Sequence, residues 1–257
     1  MEIQTALMLF AAGVLGGGIA GLVGGASLIT FPALLAAGLP PVTATASNLA
    51  AIIPANMIAA MADRTRLPPF DRAFAGLVLA SVLGALIGGV LLLHTPQRVF
   101  EVLIPVLLGF ATLLFAFSSR ISDWLRARAL ARGKAAPRVS VTSIPVLLPI
   151  SVYGGYFGAG VGVLLLGVLS VVTDGDYRAA NVIKNLVTGI NTIVVVIYFA
   201  LSGAVSWPQT LVMMAGALIG GLLGGQLGRI ASPAIMQVVV VVIGALLTIA
   251  YAWRYWF

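Results

Sequence analysis

The sequence predicts an all-α integral membrane protein built from two homologous four-segment halves. Hydrophobic residues make up 61% of the 257 residues and charged residues only 8%, whereas a water-facing surface needs many more charges. Runs such as 77–93 and 237–252 are continuously apolar, as spanning helices are, and lack the short alternation of a β-barrel strand. The segment that begins at Gly17 recurs from Gly154 at a constant offset of 137. We therefore expect a bundle of transmembrane helices with an internal duplication.

The duplication divides the chain into a first transmembrane repeat at 1–119, a basic loop at 120–140 and a second repeat at 141–257. Residues that meet at the offset are Gly17 and Gly154, Gly18 and Gly155, Gly21 and Gly158, Gly25 and Gly162, Gly38 and Gly175, Asn48 and Asn185, and Leu49 and Leu186. Six of the fourteen basic residues lie in the loop. Such clusters fix orientation and touch anionic lipids, so we expect a cytoplasmic loop and no nucleic-acid partner despite the net charge of +7.

Four apolar segments follow one another in each half. They run at 4–38, 42–62, 72–93 and 98–118, and again at 141–174, 178–201, 207–228 and 233–256. The first segment of each half, about 34 residues, would make roughly 50 Å of helix, although the hydrocarbon core is only about 30 Å thick. A glycine cluster lies in the middle of each. We predict that both segments break, as a re-entrant hairpin or as two short spans; the alternative is one tilted helix that uses its glycines for packing.

The two halves differ in the charge of equivalent loops. The turn after the second segment carries Arg64, Arg66 and Arg72, whereas its counterpart at 202–208 has no charge. Equivalent loops of opposite character indicate halves that face opposite ways, which is an inverted repeat. Inversion requires an odd number of crossings per half, which a broken first segment supplies; four simple spans would give parallel repeats instead.

A polar stripe marks the sixth segment. Six polar residues recur there at three- and four-residue spacing, so a helix places them on one face: Asn181, Lys184, Asn185, Thr188, Asn191 and Thr192. No acid lies within one turn of Lys184. A lysine inside a span is costly and commonly functional, and it can hold an anion as a point charge. The alternative is a lysine that snorkels from a helix end.

The second segment carries a matching stripe of Thr45, Ser47, Asn48 and Asn56, with Ser47 at the position of Lys184. Asn48 and Asn185 could clamp one small polar solute between the halves, or they could merely tie helices together. Free amides at half-helix N-termini attract anions, so we also expect binding just after Gly25 and Gly162.

Enzymatic chemistry finds little support in the sequence. Cysteine is absent and His94 is the single histidine, so we expect no thiol catalysis, metal site or cofactor. No paired carboxylates lie within the apolar segments, and Glu101 is either interfacial or a proton carrier. Glycine faces at Gly84 and Gly88, and at 216–225, suit either a homodimer or packing within the chain.

With these residues in place, the chain resembles the sulfite exporter TauE/SafE family. Gly21-x-x-Gly24-Gly25 followed by Pro32, the turn at 38–41 and the Asn48 helix match in the first half. The second half matches with its glycines from Gly154 to Gly162, then Asn185 and Thr188, but it has Leu169 where the first half has Pro32.

The resemblance implies a secondary transporter that exports sulfite or organosulfonates across a bacterial inner membrane by alternating access, with protons as a candidate coupling ion. The expected substrate-binding residues are Lys184, Asn185, Asn48, Ser47, Thr45, Thr188, Asn181, Asn191, Gly25 and Gly162. Two other classes stay open: a passive anion channel that uses the same stripe, and a membrane scaffold or assembly subunit that transports nothing.

Overall fold

The computed structural model describes residues 1–22, 25–118, 144–173, 177–230 and 233–256, together with 120, 121, 124 and 127. Most of the basic loop at 120–140 lies outside these residues. The described part of the chain is helical, and its helices are α1 (Ile3–Leu22), α2 (Ser27–Ala36), α3 (Pro41–Met61), α4 (Arg72–His94), α5 (Gln97–Ala116), α6 (Ile144–Tyr156), α7 (Val161–Val172), α8 (Tyr177–Leu201), α9 (Trp207–Ile230) and α10 (Pro233–Trp256). A 3₁₀ turn at Arg64–Arg66 precedes α4.

The predicted break in the first segment of each half is confirmed. Helix α1 ends at Leu22 and α2 begins at Ser27. In the second half the chain turns between α6 and α7 through Gly158 and Gly160, whose φ angles are +80° and +78°. Because L side chains rarely adopt such angles, glycine is needed at both positions. The alternative of one tilted helix is therefore wrong.

The two broken segments differ in length. Within the residues that the structure describes, seven helices are long and apolar enough to cross a membrane, and α1 is one of them. By contrast, α6 and α7 have 13 and 12 residues, or about 20 Å and 18 Å of helix, less than the roughly 30 Å of a hydrocarbon core. The first half thus pairs a full-length helix with a short one, and the second half has two short helices.

The first helix of each half packs against the fourth helix of the other half. Helix α1 lies along α9, and α6 lies along α4. Glycines permit both approaches, because a Cβ on Gly17 would meet the backbone of Ala217 and one on Gly88 would meet that of Val152. The glycine faces, including the one that contains Gly84, therefore pack against other helices of the same chain.

Helices α5 and α10, which are equivalent in the repeat, pack antiparallel along their lengths. Near one end the Trp256 indole donates to the carbonyl oxygen of Val102 (3.0 Å). Near the other end Gln237 Nε2 donates to the carbonyl oxygens of Phe115 and Ala116, at 2.8 and 3.1 Å. The second contact adds a side-chain donor to the carbonyls at the C-terminal end of α5.

Helices α3 and α8 form the centre of the molecule. They are the most enclosed of the seven candidate spans, and α10 is the least enclosed. Large apolar side chains of α4 and α10, such as Leu83 and Leu246, are exposed, as a lipid-facing surface requires. The two polar stripes predicted from the sequence therefore lie on the two innermost helices.

Substituting Gly88 with alanine should lower stability, since the added methyl would meet the backbone of α6. We expect a cost of about 1–3 kcal/mol, typical of an overpacked core. Gly76, in the same helix, provides the control because a Cβ there meets nothing within 4 Å; alanine there should be neutral or stabilise by up to about 1 kcal/mol. Thermal unfolding of the detergent-purified variants measures both, and equal midpoints would contradict the packing described here.

Candidate functional site

A cavity lies where the two helix breaks meet the two central helices. Residues from α1, both breaks, α3 and α8 form its wall: Ala20, Gly25, Ala26, Ser27, Ile52, Asn56, Gly158, Gly160, Val161, Gly162, Lys184 and Thr188. Irregular backbone at membrane depth is tolerated where it lines such a cavity. The breaks predicted in the first segments of the two halves therefore lie beside the same cavity.

Lys184 is the charged side chain in this wall. It is 2% exposed, and its Nζ has no hydrogen-bond partner among the described residues. No carboxylate belongs to the cavity wall in that part of the chain. Burial of an ammonium without a counter-ion costs several kcal/mol. The alternative of a snorkelling lysine is wrong, because the side chain is enclosed rather than extended to an interface.

Two helix N-termini adjoin the same cavity. Helix α2 begins at Ser27 and α7 begins at Val161, and neither first turn has a side-chain cap. The leading amides of a helix have no acceptors within it, and the helix dipole places partial positive charge there. Together with Lys184 they make the cavity positively biased, which suits an anion and disfavours a cation. Predicted residues Gly25 and Gly162 both line it.

A second cavity adjoins the first and shares Ile52, Gly158, Val161 and Thr188 with it. Its wall is mainly apolar and includes Leu49, Ala85, Leu165 and Val195, with polar groups from Ser151, Asn191 and Thr192. The Thr188 hydroxyl and the Asn191 Oδ1 have no hydrogen-bond partners among the described residues. Buried polar atoms of this kind normally bind water or a ligand.

Three predicted residues of the first half make hydrogen bonds that hold the fold. Asn48 donates to Ser27 Oγ (2.9 Å) and accepts from the Thr30 hydroxyl. Ser47 accepts from the Ser206 amide just before α9, and Thr45 donates to the Pro41 carbonyl, both at 3.0 Å. None of the three belongs to the wall of either cavity. Asn48 fastens α3 to α2 and Ser47 fastens it to the start of α9, whereas the Thr45 bond stays within α3.

The equivalent asparagine of the second half is in a different environment. Asn185 is fully buried, and both of its amide atoms lack partners among the described residues. At the repeat offset, Leu164 and Gly167 replace Ser27 and Thr30, so the side chains that hold Asn48 have no counterparts. Neither Asn185 nor Asn181 belongs to a cavity wall. The two asparagines do not form a symmetric clamp here.

Asn56 and Ser27 line the Lys184 cavity, and Ser151 and Thr192 line its neighbour, although the predicted set omits all four. The sequence did carry signals for three of them. Asn56 and Thr192 belong to the polar stripes, and Ser27 follows Gly25, where binding was expected. Ser151 gave no signal, because its position beside Ser81, at 2.8 Å between the two hydroxyls, depends on how α6 packs on α4.

A multi-pass helical membrane protein with two broken helices around a buried, positively biased cavity has the architecture of a membrane transporter. The family model for the sulfite exporter TauE/SafE family matches residues 9–251, so the chain belongs to that family. The resemblance stated from the sequence is thereby confirmed. No solved structure matches the chain significantly.

Curated relatives cover nearly the whole chain. A probable membrane transporter protein of Haemophilus influenzae is 25% identical over 255 residues, which are 96% of this chain and 94% of that protein. The probable membrane transporter protein ORF9 of a Sinorhizobium species is 27% identical over 94% of this chain and 90% of its own length. Escherichia coli K12 has the probable membrane transporter protein YfcA, 23% identical over 94% and 87%.

The equivalent asparagines should respond differently to leucine. Asn48→Leu removes the donor to the Ser27 hydroxyl and one acceptor of the Thr30 hydroxyl, which keeps its bond to the Ala26 carbonyl, so we expect a loss of about 1–2 kcal/mol in stability. Asn185→Leu removes an amide that has no partner, so stability should be unchanged or higher. Thermal unfolding midpoints in detergent measure the difference. Equal destabilisation by the two substitutions would refute the asymmetry.

Proposed function

We propose that this chain is a secondary transporter of small sulfur-containing anions, sulfite or organosulfonates, with its binding site at the Lys184 cavity. The observation that carries the proposal is the enclosed Lys184 ammonium, which has no carboxylate beside it among the described residues and has two helix N-termini without side-chain caps around it. An oxyanion supplies the negative charge and the acceptor atoms that such a site lacks. The family, whose model is described as that of a sulfite exporter, favours sulfur oxyanions within this class.

Lys184 is assigned the role of charge partner in this proposal. The backbone amides of Ser27 and Gly162, with the side chains of Ser27, Asn56 and Thr188, provide hydrogen bonds to the oxygens. The amides of Leu28, Ile29, Val161 and Val163 already donate to carbonyls of the two breaks. The adjoining, largely apolar cavity has room for an organic substituent of the anion. Asn191 and Thr192 would meet the substrate on that side, while Asn48, Ser47 and Thr45 keep the scaffold in place.

Transport is proposed to proceed by alternating access between inverted repeats. The antiparallel packing of the equivalent helices α5 and α10 supports inversion, because both are long enough to span. Helices α3 and α8, which are also equivalent in the repeat, run antiparallel too. Leu49 lines a cavity with Val195, and Asn56, which comes later in α3, lines one with Lys184, which comes earlier in α8. An axis that relates antiparallel spanning helices lies in the membrane plane.

The bodies that rock against each other are not the two sequence halves. Close glycine contacts join α1 to α9 and α4 to α6, and each of these pairs contains one helix from each half. We propose that the first pair moves with α3 and the second with α8, which packs on α4 through Gly89 and Val195. The Lys184 cavity lies between the two bodies, where such a motion would alternate its exposure.

Replacing Lys184 with alanine should abolish most transport without unfolding the protein. A hydrogen-bonded contact to a charged group contributes about 1.5–3 kcal/mol, so affinity should fall roughly 10- to 100-fold. Flux of sulfite, sulfate and a sulfonate into liposomes measures transport, and anion-dependent thermal stabilisation measures binding. Arg98→Ala serves as the control because Arg98 is an exposed cation at the start of α5, and it should transport normally.

Transport by Lys184→Ala at the wild-type rate would reject the Lys184 cavity as the binding site. Three results separate the proposed function from its rivals. Accumulation against a gradient excludes a passive channel, stabilisation by the anion argues against a scaffold, and the absence of both flux and stabilisation in the unaltered protein would reject transport of these anions.

A further inference from the structure

Lys184 is the only titratable side chain of the two joined cavities in the part of the chain that the structure describes. The helices α1, α2, α3 and α7, which surround the cavity with α8, carry no titratable side chain. On α8 itself, Arg178 is exposed and Tyr198 lies more than three turns beyond the lysine. Nothing in the cavity wall can therefore take up or give up a proton in place of Lys184.

The other elements packed against α8 keep their titratable groups away from the cavity wall. Helix α4 carries Arg72 and His94 at its two ends, and both are exposed. On α6, the Tyr153 hydroxyl donates to the Ala159 carbonyl (2.6 Å), and the Tyr156 hydroxyl lies 3.3 Å from that of Thr95.

The remaining neighbour of α8 is the short 3₁₀ turn that precedes α4. Its Arg64 and Arg66 are exposed, and Arg66 forms a salt bridge to Asp63 (3.5 Å). No described acidic group is thus available to neutralise the lysine during a transport cycle.

A transporter that works by alternating access must return to its loading conformation without substrate. In that empty conformation the charge of Lys184 has no anion to balance it. An unpaired ammonium enclosed between moving bodies costs several kcal/mol, and the adjoining helix N-termini add partial positive charge. Two events can remove that charge: binding of an anion, or loss of a proton from Nζ. Buried lysines change protonation readily, whereas a guanidinium stays charged.

We infer that Lys184 carries one proton with each anion, so that transport is electroneutral proton–anion symport; the inference rests on the proposed function. On the loading side Nζ takes a proton from water and the ammonium binds the anion. On the opposite side the anion leaves, an N–H bond of the ammonium breaks with its electron pair staying on nitrogen, and the proton goes to water. The lysine returns as a neutral amine beside the partial charges of α2 and α7. Export of a monovalent anion is then driven by the anion's own gradient and opposed by an inward proton gradient.

Methanesulfonate is the probe for this inference because it stays a monoanion over the working pH range, unlike sulfite. The full-length protein is placed in liposomes that contain a pH-sensitive dye, and an inward methanesulfonate gradient is applied at equal pH on both sides. The expected result is acidification of the lumen with one proton per anion, at a rate that a clamped membrane potential does not change. Uptake that shifts with potential and leaves the internal pH constant would overturn the inference.

The variant Lys184→Arg separates exchange from net transport. Arginine binds the anion but keeps its proton, so counterflow of labelled methanesulfonate should persist while net uptake and lumen acidification fall at least about tenfold. Arg98→Gln, which alters an exposed cation, should leave net uptake and acidification unchanged. Net uptake by Lys184→Arg at the wild-type rate would overturn the assignment to Lys184.

The wild-type dye measurement decides the coupling even where the arginine variant fails to fold. Methanesulfonate flux without protons rejects the coupling and leaves the proposed function standing. Absence of flux, exchange and anion-dependent stabilisation in the wild-type protein rejects the function and the coupling together.

Discussion

A lysine enclosed at the centre of a membrane protein must have its charge balanced, and the other features of the site follow from that requirement. Lys184 is 2% exposed, and the walls around it offer amide donors and partial positive charge rather than carboxylates. A cation, or a neutral solute without acceptors, would leave the ammonium uncompensated. In the proposed function, this electrostatic demand is why the ligand is an anion and why a proton accompanies it.

The two copies of the repeat form similar helices, and they differ in the polar residues that those helices carry. Each half contributes a broken segment and a central helix, so two helix N-termini reach one cavity. The first copy uses its polar residues to bind α2 to α3, through Asn48 with Ser27 and Thr30. The second copy has Lys184 in place of Ser47. A strictly symmetric protein would have either two buried ammonium groups or none.

Reciprocal packing of the first helices explains why the halves cannot act as separate domains. Because α1 lies on α9 and α6 lies on α4, each body contains helices from both copies, joined by glycine contacts too close for any side chain. Small residues bring about such contacts in membranes, where apolar packing against lipid gives little preference for one partner.

The sequence alone determined the helical membrane class, the duplication, the break in each first segment and the place of Lys184 in a polar stripe, because composition, repeat offset, glycine clusters and a lone charge are visible without coordinates. Only the tertiary structure decided that α1 pairs with α9, that Asn48 and Ser47 hydrogen-bond to neighbouring elements, and that Asn56, Ser27 and Ser151 line the cavities. The physical reason is that helical periodicity shows which residues share a face, but in an almost uniformly apolar chain it does not show which neighbour that face meets. Partner choice depends on the fit of small residues across the fold, and that fit exists only once the chain has folded.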